Sequence, residues 1–231
     1  MRRPKTSANV AYMDIHNRYV ILYRWAVFLL AAGYCLYQLV YGSWSGPGGP
    51  FRYLTIWALF LSFYSASRML ALSEHRITRR HEVTATCAAV LNVMVVYLYW
   101  QLYFTDPALV NNGGPIIWHQ EYYLHALGPA LQIIDALFIG RVFRRVWRAI
   151  LPLLAIIAAY VAWAELFVQR FNNKPQGEVT SGLPYPFLNN MELPERAVFY
   201  AANGGTAMAL LVVFGVVGAV LYRMMRSQAP A

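Results

Sequence analysis

The chain has 231 residues, of which 59% are hydrophobic, 16% aromatic and only 13% charged. Soluble domains carry roughly 25% charged residues, so the composition excludes an ordinary water-facing globule and requires a surface that faces lipid. The formal net charge of +9 raises nucleic acid as a partner, but the positions of the cations argue against it.

A basic, polar leader precedes the first hydrophobic run, at about 19–41. That run ends in Tyr41-Gly42-Ser43-Trp44 without a small-x-small cleavage site, so it reads as a retained first helix and not as a removed signal peptide. Five more runs follow, at about 52–73, 83–104, 118–139, 147–169 and 197–222. Each is close to the roughly 20 residues that cross a bilayer core. The expected fold is all-α: one domain, 1–231, forming an integral membrane bundle of six transmembrane helices. Cys35 and Cys87 fall inside hydrophobic runs, which suggests neither a disulfide framework nor a zinc site.

Orientation follows from lysine and arginine in the flanks and short joints. One side collects Arg2, Arg3, Lys5 and Arg18, then Arg76, Arg79 and Arg80, then Arg141, Arg144, Arg145 and Arg148, and finally Arg223 and Arg226. The other side holds Arg52, Arg170, Lys174 and Arg196. Thirteen cations against four put both termini in the cytoplasm and make the charge a topology signal, with anionic lipid as a secondary partner and no role for nucleic acid. The largest outer segment, 171–195, contains Leu183-Pro184-Tyr185-Pro186-Phe187-Leu188. It is too apolar for a solvated loop and is expected to fold back over the outer mouth of the bundle as a lid.

Polar side chains inside a membrane are costly and face the bundle interior. At 1.5 Å of rise per residue, Thr55 lies about 5 Å below the outer surface, His125 about 10 Å and Glu165 about 6 Å. Asn203 and Thr206 fall in the outer third of span six, and Gln38 and Gln101 at the outer ends of spans one and three. A hydroxyl, an imidazole and a carboxylate at one depth offer nucleophile, base and orienting group. Threonine attacks an ester only when a neighbouring base takes its proton, and histidine is the usual base near neutral pH. Glu165, or Glu121 one turn above His125 at i−4, would orient the imidazole. A donor for the substrate carbonyl would come from a backbone N–H or Asn203, and Tyr185 is a further pocket residue. Asp135 lies about 15 Å below His125, too deep for the same substrate atom. It is expected in a structural ion pair with Arg68, or alternatively with Arg24.

At Phe51-Arg52-Tyr53-Leu54-Thr55 and at His125-x3-Pro129 the chain resembles the androgen-induced and androgen-dependent tissue-factor-pathway-inhibitor-regulating membrane proteins, and more closely their microbial relatives. The resemblance implies a multi-pass hydrolase of fatty acid esters of hydroxy fatty acids, with Thr55 and His125 as the catalytic residues. Asp135 and the Pro184-Tyr185-Pro186-Phe187-Leu188 segment match the microbial branch. Where the animal proteins have Asn-His before the histidine, this chain has His119-Gln120-Glu121, and Ala126 replaces the following threonine. The resemblance therefore carries the hydrolytic pair, while the ester cleaved stays open. No metal or organic cofactor is implied, because there is no ligand cluster at metal spacing and no phosphate loop. The expected partners are a lipid substrate and bilayer lipids. The rival reading is a non-catalytic transporter, lipid-binding protein or sensor using the same polar pocket. It requires polarity through the whole membrane, whereas only Asn92 and Asp135 extend below the outer cluster.

Overall fold

The computed structural model of the chain describes residues 14–110, 116–172 and 182–227, and every regular element among them is helical. Six helices are long and apolar enough to cross a membrane. We number them α1 (Arg18–Tyr41), α2 (Leu54–Ser73), α3 (Glu82–Thr105), α4 (Trp118–Ile139), α5 (Val142–Gln169) and α6 (Leu193–Ser227). An even number of crossings returns the chain to the face on which it started. Of the expected outer segment, 173–181 lie outside the described residues, as do Arg2, Arg3 and Lys5.

Two helices extend beyond the hydrophobic runs. α5 starts at Val142 and not at 147, because the arginine-rich joint winds into 3-10 turns over Val142–Ala149. Val142 and Phe143 anchor those turns, both buried, with Phe143 stacked 4.5 Å from Phe214 of α6. α6 begins at Leu193, with Pro194 in the first turn, where the missing N–H is not needed.

α3 occupies the centre. Its residues from Ala85 to Asn92 are all buried, on every face of the helix, as a helix surrounded by others must be. Small residues on the facing surfaces, among them Ala58, Ser62, Ser65 and Ala66 of α2 and Ala85, Ala88 and Ala89 of α3, let the backbones approach closely. The polar groups at this depth are satisfied within the protein. Asn92 donates to Ser62 Oγ at 2.7 Å and to the Ala88 carbonyl at 2.8 Å, while Gln132 of α4 donates to the Ser62 carbonyl at 3.3 Å. Asn92 thus joins α2 to α3 and lines no path through the membrane.

A charged knot holds α1, α2 and α4 together nearer the arginine-rich face. Arg24 is 1% exposed. It donates to Asp135 through Nε at 2.8 Å and Nη2 at 2.7 Å, and through Nη1 to the Met69 carbonyl at 3.0 Å and Ser73 Oγ at 2.7 Å. Ser73 in turn donates to the Ile15 carbonyl at 2.6 Å. The expected Arg68 partner is therefore replaced by Arg24. α2 turns Met69 into the bundle and Arg68, about 100° around the helix, away from it. The Arg68 guanidinium lies over the Tyr64 ring at 5.6 Å, and its Nε donates to Ser67 Oγ at 3.3 Å.

Removing one member of a buried ion pair leaves the other charge uncompensated, at a cost of about 3–5 kcal/mol. Asp135→Ala is accordingly expected to lower the Tm of the detergent-solubilised protein by roughly 10 °C. The double variant Arg24→Met/Asp135→Leu is expected to recover most of that loss, and thermal unfolding monitored by size exclusion checks both.

Candidate active site

At the end of the bundle away from the arginine-rich joints, α1, α2, α3 and α4 enclose a cavity of about 370 Å³, lined by Gln38, Tyr53, Thr55, Tyr99, Glu121, His125 and Tyr185 among others. Each functional side chain is set there by an identifiable local cause.

Thr55 is fixed by the turn that feeds α2. Gly48 and Gly49 have φ of 77° and 50°, a region that side chains disfavour. They lead into a 3-10 turn, Gly49–Arg52. α2 begins at Leu54, so Thr55 sits in the first helical turn. The backbone carbonyl one turn back, that of Phe51, lies outside the helix and accepts the Trp57 indole N–H at 2.9 Å. The usual back-bond of a helical threonine is therefore not made, and the Thr55 hydroxyl faces His125, with Oγ1 3.4 Å from Nε2. That contact is at the long end of hydrogen-bond range.

His125 owes its placement to Pro129. A proline has no N–H for the carbonyl four residues earlier, and its ring crowds that carbonyl. The carbonyl in question is that of His125, and it accepts instead from the Trp100 indole of α3 at 2.8 Å. The ladder widens into a π-turn over Tyr123–Leu127, a distortion that recurs at functional sites. The ring is 6% exposed and stacks 3.6 Å from Tyr99, 6° from parallel. Its Nδ1 lies 3.1 Å from Glu121 Oε2, with the carboxylate off the N–H direction. The two groups are close, but the contact is not a directed hydrogen bond.

Of the residues expected at the site, Thr55, His125, Glu121 and Tyr185 line one cavity, and Glu165 and Asn203 do not. Glu165 faces α6 from a π-turn over Ala164–Gln169. It accepts from Arg196 Nε at 2.8 Å and Nη2 at 2.9 Å, and from the Tyr200 hydroxyl at 2.8 Å. With its oxygens committed there, it staples α5 to α6 and does not orient His125. Asn203 donates to the Phe199 carbonyl at 2.9 Å and Thr206 to the Ala202 carbonyl at 3.0 Å, each one turn back in its own helix. The apparent convergence of all six spans is thus two clusters, one around His125 and one around Glu165.

The segment after the undescribed residues bridges them. Leu183 and Leu188 are buried against Ala164 and Val168 of α5, and Asn189 pins the segment by accepting from the Leu183 N–H at 3.0 Å and donating to the Leu183 carbonyl at 3.2 Å. Pro184 and Tyr185 then form one wall of the cavity. Burial, with a smaller contribution from Tyr53, pushes the Tyr185 hydroxyl up to about 12, which keeps it a neutral donor.

Two participants carried little sequence signal. Tyr99 read as an interfacial aromatic and proves to be the face against which His125 stacks. Gln38, recognised only for its depth, is 5% exposed and has an enclosed Nε2 with no acceptor among the described residues. A buried polar atom without a partner is uncommon and calls for an explanation in function.

No curated protein and no solved structure matches the chain. The sequence model described as FAR-17a/AIG1-like protein matches residues 21–219, from the first helix into the sixth. With six membrane-crossing helices under that match, the chain is a multi-pass integral membrane protein that belongs to the FAR-17a/AIG1-like family.

Proposed function

We propose that the chain is a membrane-embedded hydrolase of lipid esters, such as fatty acid esters of hydroxy fatty acids, with Thr55 as nucleophile and His125 as general base. The observation that carries this reading is the 3.4 Å approach of Thr55 Oγ1 to His125 Nε2, between residues 70 apart in the chain, inside a cavity near one membrane face. The arginine bias puts that face opposite the cytoplasm and both termini inside.

In the proposed cycle Nε2 takes the Thr55 proton as Oγ1 attacks the ester carbonyl. Glu121 favours the imidazolium that results. The tetrahedral oxyanion needs donors. The first turn of α2 offers backbone N–H groups at the positive end of the helix dipole, directly beside Thr55. Gln38 offers its amide, and a half-turn about the terminal bond directs the NH2 to the cavity, where a substrate carbonyl supplies the missing acceptor. Collapse expels the alcohol, which receives the proton from His125. Water activated by the same imidazole then cleaves the acyl-threonine to the free acid. Pro184 and Tyr185 supply one wall of the cavity, and in the proposed cycle an apolar ester enters from the bilayer.

Thr55→Ala and His125→Ala are each expected to lower turnover of such an ester by at least about 100-fold, measured as fatty acid release by protein that elutes as a folded monodisperse species. Unchanged turnover in either variant would remove the pair from the mechanism. Gln38→Leu, which removes a donor acting on the transition state, is expected to lower kcat by roughly 100-fold with little change in KM. Steady-state kinetics on the same ester check the split.

A further inference from the structure

A second cavity of about 380 Å³ opens at the opposite, arginine-rich end of the bundle. It shares no lining residue with the Thr55–His125 cavity. Its floor is the Arg24 knot, whose charge Asp135 neutralises. Around the mouth stand three more guanidiniums, Arg80 from the α2–α3 joint and Arg141 and Arg144 from the α4–α5 joint, with Asp14 and Glu82 as the carboxylates.

The carboxylates do not use up the cations. Asp14 Oδ1 already accepts from the His16 backbone N–H at 2.9 Å. Glu82 stands 4.0 Å from Arg80, the outer limit of an ion pair, and the Arg80 side chain is 58% exposed. Arg144 is held by its face, 4.9 Å over the Tyr222 ring, and that contact leaves the N–H edge of the guanidinium unspent. Arg80 and Arg144 therefore bring two donor forks, from two different joints, to one pocket. The remaining wall combines the apolar Ile15, Met69, Leu72 and Ile139 with His16, whose Nδ1 lies 2.9 Å from the Ser73 carbonyl.

We propose that this cavity binds the phosphate group of an anionic ligand, with Arg80 and Arg144 as the phosphate ligands. A phosphate has enough oxygens to accept from both forks at once. The apolar residues of the wall suit the carbon atoms that follow a lipid phosphate, and a free phosphate uses the same forks without them. This site is independent of the ester chemistry and stands whether or not the chain is a hydrolase.

The experiment measures the Tm of the detergent-solubilised full chain against short-chain phosphatidylglycerol, short-chain phosphatidylcholine and inorganic phosphate. Phosphatidylglycerol is expected to raise the Tm by roughly 5 °C near saturation, with phosphatidylcholine giving much less. Arg80→Gln/Arg144→Gln, two solvent-facing changes, is expected to weaken binding by roughly 25-fold, about fivefold per arginine. Arg148→Gln/Arg223→Gln removes two cations that do not line the cavity and is expected to bind within about twofold of wild type. An equal shift with inorganic phosphate, lost in the same double variant, keeps the site and identifies a free anion as its occupant. No shift with any phosphate, an equal shift with phosphatidylcholine, or equal weakening in both double variants would overturn the proposal.

Discussion

A polar side chain in the bilayer core has no water to fall back on, so each must find its partner inside the protein. That constraint sorts the polar residues of this chain into two groups. Asp135, Asn92, Gln132 and Glu165 each hydrogen-bond to a neighbouring helix, and they hold the bundle together. Gln38 and the Thr55–His125 pair are bonded less completely. Gln38 keeps an enclosed nitrogen without an acceptor, and Thr55 and His125 meet at the long end of hydrogen-bond range. The incompletely bonded members of this set, Gln38, Thr55 and His125, line one cavity.

The same helices supply both groups by departing from α-geometry. His125, Asp135 and Glu165 each belong to a π-turn. A π-turn inserts one residue into the ladder and changes the direction of the side chains around it. On α4 two such turns act in series, one with His125 at the outer cavity and one with Asp135 facing Arg24. The Arg24 knot is therefore tied to the Thr55–His125 cavity through a single helix. Rigid placement of a catalytic pair on packed elements is what an ester hydrolase needs, and α2, which carries Thr55, is bound into the knot at its other end through Met69 and Ser73.

Much of this was legible in the residues. Length and hydropathy were enough for six crossings, because spanning a bilayer is a constraint on one helix at a time. Counting residues put Thr55 and His125 at one level, where the two side chains meet, and i−4 spacing put Glu121 beside His125. What escaped was rotation. Glu165 and Glu121 were equal candidates by depth, and only the orientation of α5 commits Glu165 to Arg196 and Tyr200. Arg68 was the expected partner of Asp135 and Arg24 the alternative, and one residue of helical phase decides the matter by turning Met69, not Arg68, inward. The roles of Gln38 and Tyr99 depend on the packing of α1 and α3 against α4, a long-range relation with no local pattern. The effect of Pro129 on the His125 carbonyl was readable in principle from their four-residue spacing. Its capture by Trp100 was not.

The proposed function requires an activated hydroxyl on Thr55. The most direct test treats the full-length protein with a fluorophosphonate probe and maps the modified peptide by mass spectrometry. A single adduct is expected on Thr55 Oγ1, and it disappears in folded His125→Ala protein. An adduct on another residue, no adduct on well-folded wild type, or a Thr55 adduct unaffected by loss of His125 would contradict the proposed function.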